Sequence, residues 1–145
     1  MAKEIDYLEL ADILKLGKEI ISDFRIRDIG LLESAAARPK TSVFGEDAYP
    51  TFAEKVASLM HSNARNHALI DGNKRLAWAS GRLFCLMNDC DIKMNQDRAY
   101  EMVVGVAAGE IDLPQLGKLL KRAIKWFEAM QERFAKHADS GAFKP

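Results

Sequence analysis

Apolar residues recur at helical spacing along almost the whole of this 145-residue chain. Steps of three and four residues place side chains on one face of an α-helix, whereas a half-buried strand would show strict alternation. At this length one hydrophobic core is sufficient, so the pattern predicts an all-α fold in a single compact domain over residues 1–145. Helices are predicted at Tyr7–Asp23, Ile29–Arg38 with Pro39 as its end, Thr51–Asn66, Leu76–Met87 and about Ala99–Ala107 with Gly109 as its C-cap.

A last helix is predicted to begin after Asp112, which can cap it, with Gln115 placed to complete a capping box. Its apolar stripe continues at intervals of four and three residues and predicts one long helix: Leu116, Leu120, Ala123, Phe127, Met130 and Phe134. The segment Lys40–Pro50 is the longest stretch without a helical pattern. It is expected to form a loop.

The polar nonapeptide His67-Ala68-Leu69-Ile70-Asp71-Gly72-Asn73-Lys74-Arg75 lies between the predicted helices Thr51–Asn66 and Leu76–Met87. A helix beginning near Asn73 leaves its first backbone N–H groups without partners and directs its positive dipole end into the loop, which favours an anion. Gly72 can adopt positive φ and allow the backbone to approach that anion closely. The junction therefore predicts a phosphate-binding loop.

The remaining side chains of the nonapeptide have complementary chemistry. Asn73 is a neutral donor, Lys74 a mobile point charge, and Arg75 a planar fork suited to phosphate. Asp71 is a hard oxygen ligand, so it is the expected place for Mg²⁺ beside a nucleotide phosphate. His67 carries an imidazole, the side chain that titrates near neutral pH, and is the candidate general base.

Each part of this motif has an ordinary structural explanation when taken alone. Asp71-Gly72-Asn73 would pass for a turn with an N-cap, and Lys74-Arg75 for a solvated pair. His61 and His137 are interpreted as structural histidines, because a lone histidine in a helical protein is usually one. The combination of roles in one loop favours the functional interpretation.

Charge and cysteine content exclude several other classes. Lysine plus arginine and aspartate plus glutamate both number 21, so no overall charge favours nucleic acid. Cys85 and Cys90 have neither the spacing nor the histidine of a zinc site, and are interpreted as reduced, buried or half-buried thiols. No stretch is apolar enough to span a membrane, and the N-terminus lacks the apolar run of a signal peptide, so a cytoplasmic location is expected.

The nonapeptide resembles the signature of the Fic/Doc proteins, His-x-x-x-Asp/Glu-Gly/Ala-Asn-x-Arg, and the chain around it resembles the Doc (death-on-curing) branch over roughly residues 5–121. The supporting segments are Arg27–Ala35, Arg38-Pro39, Phe44–Pro50 and Val106–Glu110. This resemblance implies the helical Fic fold. It also implies that His67 deprotonates a target hydroxyl, that Asp71 binds Mg²⁺, and that Gly72, Asn73, Lys74 and Arg75 bind the phosphates of ATP.

Two departures from the wider family pattern bear on the reaction. Adenylylating members have a second glycine and a second arginine where this chain has Lys74 and Trp78. Doc-like proteins share the lysine and transfer the γ-phosphoryl group of ATP to a threonine of translation elongation factor Tu. The resemblance therefore favours a kinase that arrests translation, with an AMP transferase as the alternative and a catalytically silent Fic-fold binding module as a third hypothesis.

The resemblance also implies a partner and a flap. Doc-like proteins are toxins paired with a small antitoxin that covers the active-site groove, and in Fic-fold proteins the region matching Lys40–Pro50 positions the target peptide. The string Ser42–Asp47 only loosely matches the inhibitory helix motif of many Fic proteins, and we interpret it as coincidence. Inhibition is therefore expected to come from a separate antitoxin.

Overall fold

The computed structural model describes residues 4–127 and shows a mostly helical fold, as predicted. Six helices occur in this range: α1 (Leu10–Ile20), α2 (Ile29–Ala37), α3 (Phe52–Arg65), α4 (Asn73–Met87), α5 (Gln96–Ala107) and α6 (Leu113–Ala123). Two antiparallel pairs accompany them: β1 (Ser42–Val43) with β2 (Glu46–Asp47), and β3 (Cys90–Ile92) with β4 (Ile124–Trp126). No helix in the described range is long and apolar enough to cross a membrane.

Helix α3 is the centre of the core. Ten of its fourteen residues are buried, and its most extensive contacts are with α4 and α6. Thr51 caps its first turn by accepting a hydrogen bond from the Glu54 backbone at 3.2 Å. Gly81 of α4 allows this close packing, since a Cβ there would lie 2.5 Å from the sulfur of Met60. The loop from His67 to Gly72 therefore joins two helices that are firmly packed against each other.

The prediction of one long last helix is wrong beyond Ala123. The Asp112 and Gln115 capping box is present, but Ile124 has extended backbone and begins β4. This strand pairs with β3, which is fully buried and would otherwise lack a hydrogen-bonding partner. Isoleucine and tryptophan also favour strands. The pairing with β3 and this preference together outweigh the helical spacing of the apolar residues. Met130 and Phe134, which were assigned to the same helix, lie outside the described residues, as does His137.

The other boundaries differ by a few residues. Helix α1 is three residues shorter at each end than predicted, because Glu9 and Asp12 form a capping box at its start and Ile21 is extended. Arg38 and Pro39 continue α2 as a short 3₁₀ turn. Gly109 follows α5 with φ of +81°, as expected for a glycine that ends a helix.

The segment Lys40–Pro50 forms a small hairpin, β1 and β2, with exposed Phe44 at its tip. A buried lysine holds it to the core. Lys55 donates from Nζ to the carbonyl oxygen of Tyr49 at 2.6 Å and to Oδ2 of Asp47 at 3.1 Å. Because this ammonium group is desolvated and fully engaged, the hairpin base has a defined position on α3.

Candidate active site

The first turn of α4 forms the anion-binding end of the site. Gly72 caps this helix in the left-handed region, with φ of +93° and no side-chain cap. Its carbonyl accepts the first helical hydrogen bond, from the Leu76 backbone at 2.9 Å. The N–H groups of the turn before Leu76 have no intrahelical acceptor, so they and the helix dipole favour a negatively charged ligand.

Gly72 is also required by packing. A Cβ at this position would lie 2.7 Å from Cδ1 of Ile21 and 3.1 Å from its Cγ1. Ile21 is buried, so it cannot move into solvent. Glycine is therefore required at this position both by the positive φ and by the close approach of Ile21.

Asn73 closes the loop on itself. Its Oδ1 accepts from the Leu69 backbone and its Nδ2 donates to the Leu69 carbonyl, each at 3.0 Å. Most of the amide that was interpreted as a phosphate donor is thus used to hold the loop, and one hydrogen of Nδ2 is left for a ligand.

His67 lies at the start of the loop in a left-handed conformation, with φ of +53°. This conformation is uncommon for a residue with a Cβ and persists only where its surroundings hold it. Arg27 provides that support by donating from Nε to the His67 carbonyl at 2.7 Å and from Nη2 to the Asn66 carbonyl at 3.3 Å. His67 itself is exposed.

A short backbone ladder reinforces this support. Ile26 and Leu69 form an isolated antiparallel bridge, the Arg27 amide donates to the Ala68 carbonyl at 2.8 Å, and the Ile70 amide donates to the Arg25 carbonyl at 3.0 Å. Sequence reasoning gave Arg27 no role in the site, because its partner is forty residues away. The only signal was its place in a segment that resembles the Doc branch.

The charged residues of the motif are exposed, and Oδ1 of Asp71 accepts a hydrogen bond from the Gly72 backbone at 2.9 Å. Oδ2 of Asp71 lies 3.9 Å from Nη2 of Arg75, and both side chains are more than half exposed. Such a pair contributes little to stability, so both groups are available to a ligand. Lys74 is exposed on the same turn.

The chemistry of the donor set suits magnesium held together with a nucleotide. Residues 4–127 contain no group of three or more histidine, cysteine, aspartate or glutamate side chains that could enclose a metal. Mg²⁺ seldom needs such a cage, since it is commonly bound by one or two carboxylates with phosphate oxygens and water. Asp71, beside the phosphate-binding turn, fits that single-carboxylate role.

All six residues predicted for the site line one cleft of about 950 Å³, between α4 and α5. Apolar and aromatic side chains form much of its walls, including Trp78, Tyr100 and Val103. The cleft is therefore polar at the α4 N-terminus and largely apolar along its length, as is usual for a small-molecule site.

Arg82 also lines this cleft, two turns along α4 from the motif. Its Nε and Nη2 donate to the two carboxylate oxygens of Asp91 at 3.1 and 2.8 Å. These hydrogen bonds lower the pKa of the Asp91 carboxyl and raise the pKa of Arg82 from their ordinary values. The pair was not foreseen, because Asp91 is on β3 and that strand was not predicted.

The groups interpreted as structural behave accordingly. His61 contacts Arg38 at 3.2 Å, and burial together with that guanidinium lowers the pKa of its imidazole. Cys85 and Cys90 are both buried, and neither forms a disulfide. The pKa of Cys85 is raised, mainly by a hydrogen bond with the Cys90 thiol and secondly by burial. Cys85 is therefore kept in the protonated, unreactive thiol form.

Comparison with known proteins decides the family. A family model described as "Fic/DOC family" matches residues 7–85, more than half of the chain and including the whole nonapeptide. The chain belongs to the Fic/DOC family. A curated relative of this Fic/DOC protein, named "Toxin Doc", from Mycolicibacterium smegmatis, is 41% identical over 114 residues, which cover 77% of this chain and 88% of the relative.

Proposed function

We propose that this Fic/DOC protein is a toxin that transfers the γ-phosphoryl group of Mg-ATP to a hydroxyl of a protein, a threonine of translation elongation factor Tu, and so arrests translation in the cytoplasm. The observation that carries the proposal is the meeting of His67, Asp71 and the open N-terminus of α4 in one cleft. Family members are typically protein-modifying transferases, and the relative named as a toxin supports the biological role.

The positions of these groups support the following reaction. The His67 imidazole takes the proton of the threonine hydroxyl as its oxygen attacks the γ-phosphorus. The bond between that phosphorus and the bridging oxygen breaks, and ADP leaves with the electron pair. Backbone N–H groups of α4, with Lys74 and Arg75, stabilise the charge on the phosphoryl oxygens. Asp71 would hold Mg²⁺, which neutralises part of the nucleotide charge when bound.

Lys74 supports γ-phosphoryl transfer over AMP transfer. It replaces a glycine that would leave room for the α and β phosphates beside the attacked phosphorus, and its side chain occupies the rim of the same cleft. A lysine there narrows this space, the phosphate cradle, and adds a point charge. Both effects favour a nucleotide bound in the direction opposite to that in adenylylating members, with its γ-phosphate at the attacked position. AMP transfer is the alternative if the cradle still admits those phosphates.

The decisive experiment separates the two reactions by the group that the target gains. Purified protein is incubated with elongation factor Tu and ATP labelled at either the α or the γ position, and the product is analysed by intact mass. A phosphate-sized gain with γ label supports the proposal. An AMP-sized gain with α label replaces it with the alternative, and no gain supports a silent binding module.

His67→Ala should reduce transfer by about a hundredfold or more, the usual scale of general base catalysis. The residue is exposed, so the thermal melting temperature should stay close to that of the wild type. Full activity in this variant would remove His67 from the mechanism.

Lys74→Ala should depress γ transfer, because a charge-assisted contact to phosphate is lost. Lys74→Gly should reopen the cradle and reveal α label on the target. Lys118→Ala is the matched control, since Lys118 is an exposed lysine of α6 that does not line the cleft. Equal losses in Lys74→Ala and the control would contradict a role for Lys74.

A small antitoxin that covers this cleft is the expected partner. The apolar groups at its surface support this, since Ile70 is 51% and Tyr100 is 68% exposed although both line the cleft. A purified antitoxin should bind Tyr100→Asp more weakly than it binds the wild-type protein. Unchanged affinity would place the antitoxin elsewhere.

A further inference from the structure

Arg82 combines cleft exposure with a fixed orientation. Its side chain is 45% exposed and lines the cleft, whereas the side chain of its partner Asp91 is only 9% exposed. Asp91 is itself held, because its Oδ1 also accepts from the Ile92 backbone at 2.8 Å. The guanidinium therefore has a buried, rigid anchor on one side and open cleft on the other.

The position of Arg82 along α4 places it within reach of a nucleotide. Seven residues separate it from Arg75, which corresponds to about 10.5 Å along the helix axis. Trp78, one turn nearer to the helix N-terminus, lines the same cleft as Arg82. Because Arg75 and Arg82 line the same cleft, a nucleotide with one phosphate at the α4 N-terminus and the rest of its length along the cleft would approach this group.

The guanidinium still has donors to offer. Of its five N–H groups, two donate to Asp91. The structure of residues 4–127 shows no acceptor for the others, and the side chain lines the cleft. A planar fork of this kind suits a phosphate oxygen better than a flexible ammonium would.

We propose that Arg82, oriented by Asp91, binds a phosphate of the nucleotide that is not transferred, at the part of the cleft farther from His67. This inference rests on the proposed nucleotide-dependent function and adds a phosphate-binding residue outside the nonapeptide. Asp91 acts as its positioning residue.

The test is the affinity of the purified full chain for Mg-ATP, measured by calorimetry without a protein acceptor, together with the thermal melting temperature. Arg82→Gln should weaken Mg-ATP binding by about tenfold or more, the scale of a lost hydrogen bond between charged groups. Arg98→Gln is the matched control, because it removes the same charge from exposed Arg98 of α5, which does not line the cleft.

Asp91→Asn separates ligand binding from a purely structural role. It breaks the same ion pair, so it should lower the melting temperature about as much as Arg82→Gln, yet it keeps the donor and should weaken Mg-ATP binding several-fold less. Equal losses of affinity in the two variants, or an Arg82→Gln affinity within twofold of the wild type, would overturn the proposal. Wild-type protein that does not bind Mg-ATP would instead refute the proposed function, and this inference with it.

Discussion

Replacing Gly72 with alanine tests whether the phosphate-binding turn depends on a missing Cβ. The left-handed conformation alone costs an L-residue roughly 1–2 kcal/mol. At Gly72 the new Cβ would also lie 2.7 Å from the buried Ile21 side chain, and overpacking of this kind costs about 1–3 kcal/mol. The free energy of unfolding of Gly72→Ala should therefore fall by about 2–5 kcal/mol, measured by urea unfolding.

Gly45 is the matched control for this prediction. It lies at the tip of the hairpin with φ of +79°, but nothing stands within 4 Å of the position a Cβ would take. Gly45→Ala should consequently lower the free energy of unfolding only by the cost of the left-handed conformation, about 1–2 kcal/mol. Replacing glycine with alanine also stabilises the protein by reducing the conformational entropy of the unfolded chain. This contribution is the same in both variants, so it cancels when their free energies of unfolding are compared.

A second variant isolates the contact with Ile21. Ile21→Val removes Cδ1, the atom nearest to the added Cβ, at a cost of its own of about 0.5–1.5 kcal/mol. Gly72→Ala should then cost about 1 kcal/mol less in the valine background than in the wild type, the coupling expected of residues in contact. The steric argument would be refuted if Gly72→Ala lowered the free energy of unfolding no more than Gly45→Ala does, and by the same amount in the wild-type and Ile21→Val backgrounds.

Three further outcomes follow from other contacts. Arg27→Met should lower the rate of transfer more than nucleotide affinity, because His67 loses the donor that holds its carbonyl; equal kcat in steady-state assays would contradict this. The depressed pKa of Asp91 means that its stabilisation is present above the ordinary unfolded value near pH 4 and is lost as pH falls through the folded value. The stability difference between wild type and Asp91→Asn should thus narrow in acid, and a constant difference would exclude the ion pair with Arg82 as its source. Lys55→Met should lower the free energy of unfolding by about 1–3 kcal/mol and increase hydrogen exchange in the hairpin; unchanged exchange would show that the hairpin is held by other contacts.

Local signals in the sequence were sufficient for most helices and for the motif. Asp112 and Gln115 form the expected capping box, and Gly72 has the expected positive φ, because each depends on residues within one helical turn. The cleft brings all six predicted site residues together for the same reason, since they occupy one loop and the first turn of one helix. Their individual roles in binding and catalysis stay predictions.

Features that depend on distant pairing could not be predicted in this way. The predicted helical stripe runs through Ala123 to Phe127, but β3, more than thirty residues before Ile124, gives the Ile124 backbone a partner and the helix ends at Ala123. Asp91 had no apparent role until that strand placed it beside Arg82. Asn73 was taken for a ligand donor, whereas the geometry of the loop uses most of its amide internally.

The backbone ladder between Arg25–Asp28 and the loop after α3 allows the conformation of His67 to change while the helices stay folded. If that segment detached, no helix would need to unfold, but His67 would lose the contacts that keep it left-handed and would relax to an ordinary conformation. Local opening of this kind is invisible to circular dichroism and visible to exchange at individual amides. The Arg27 and Ile70 amides, which donate across the ladder, are therefore reporters of the fraction of molecules in which this segment is attached.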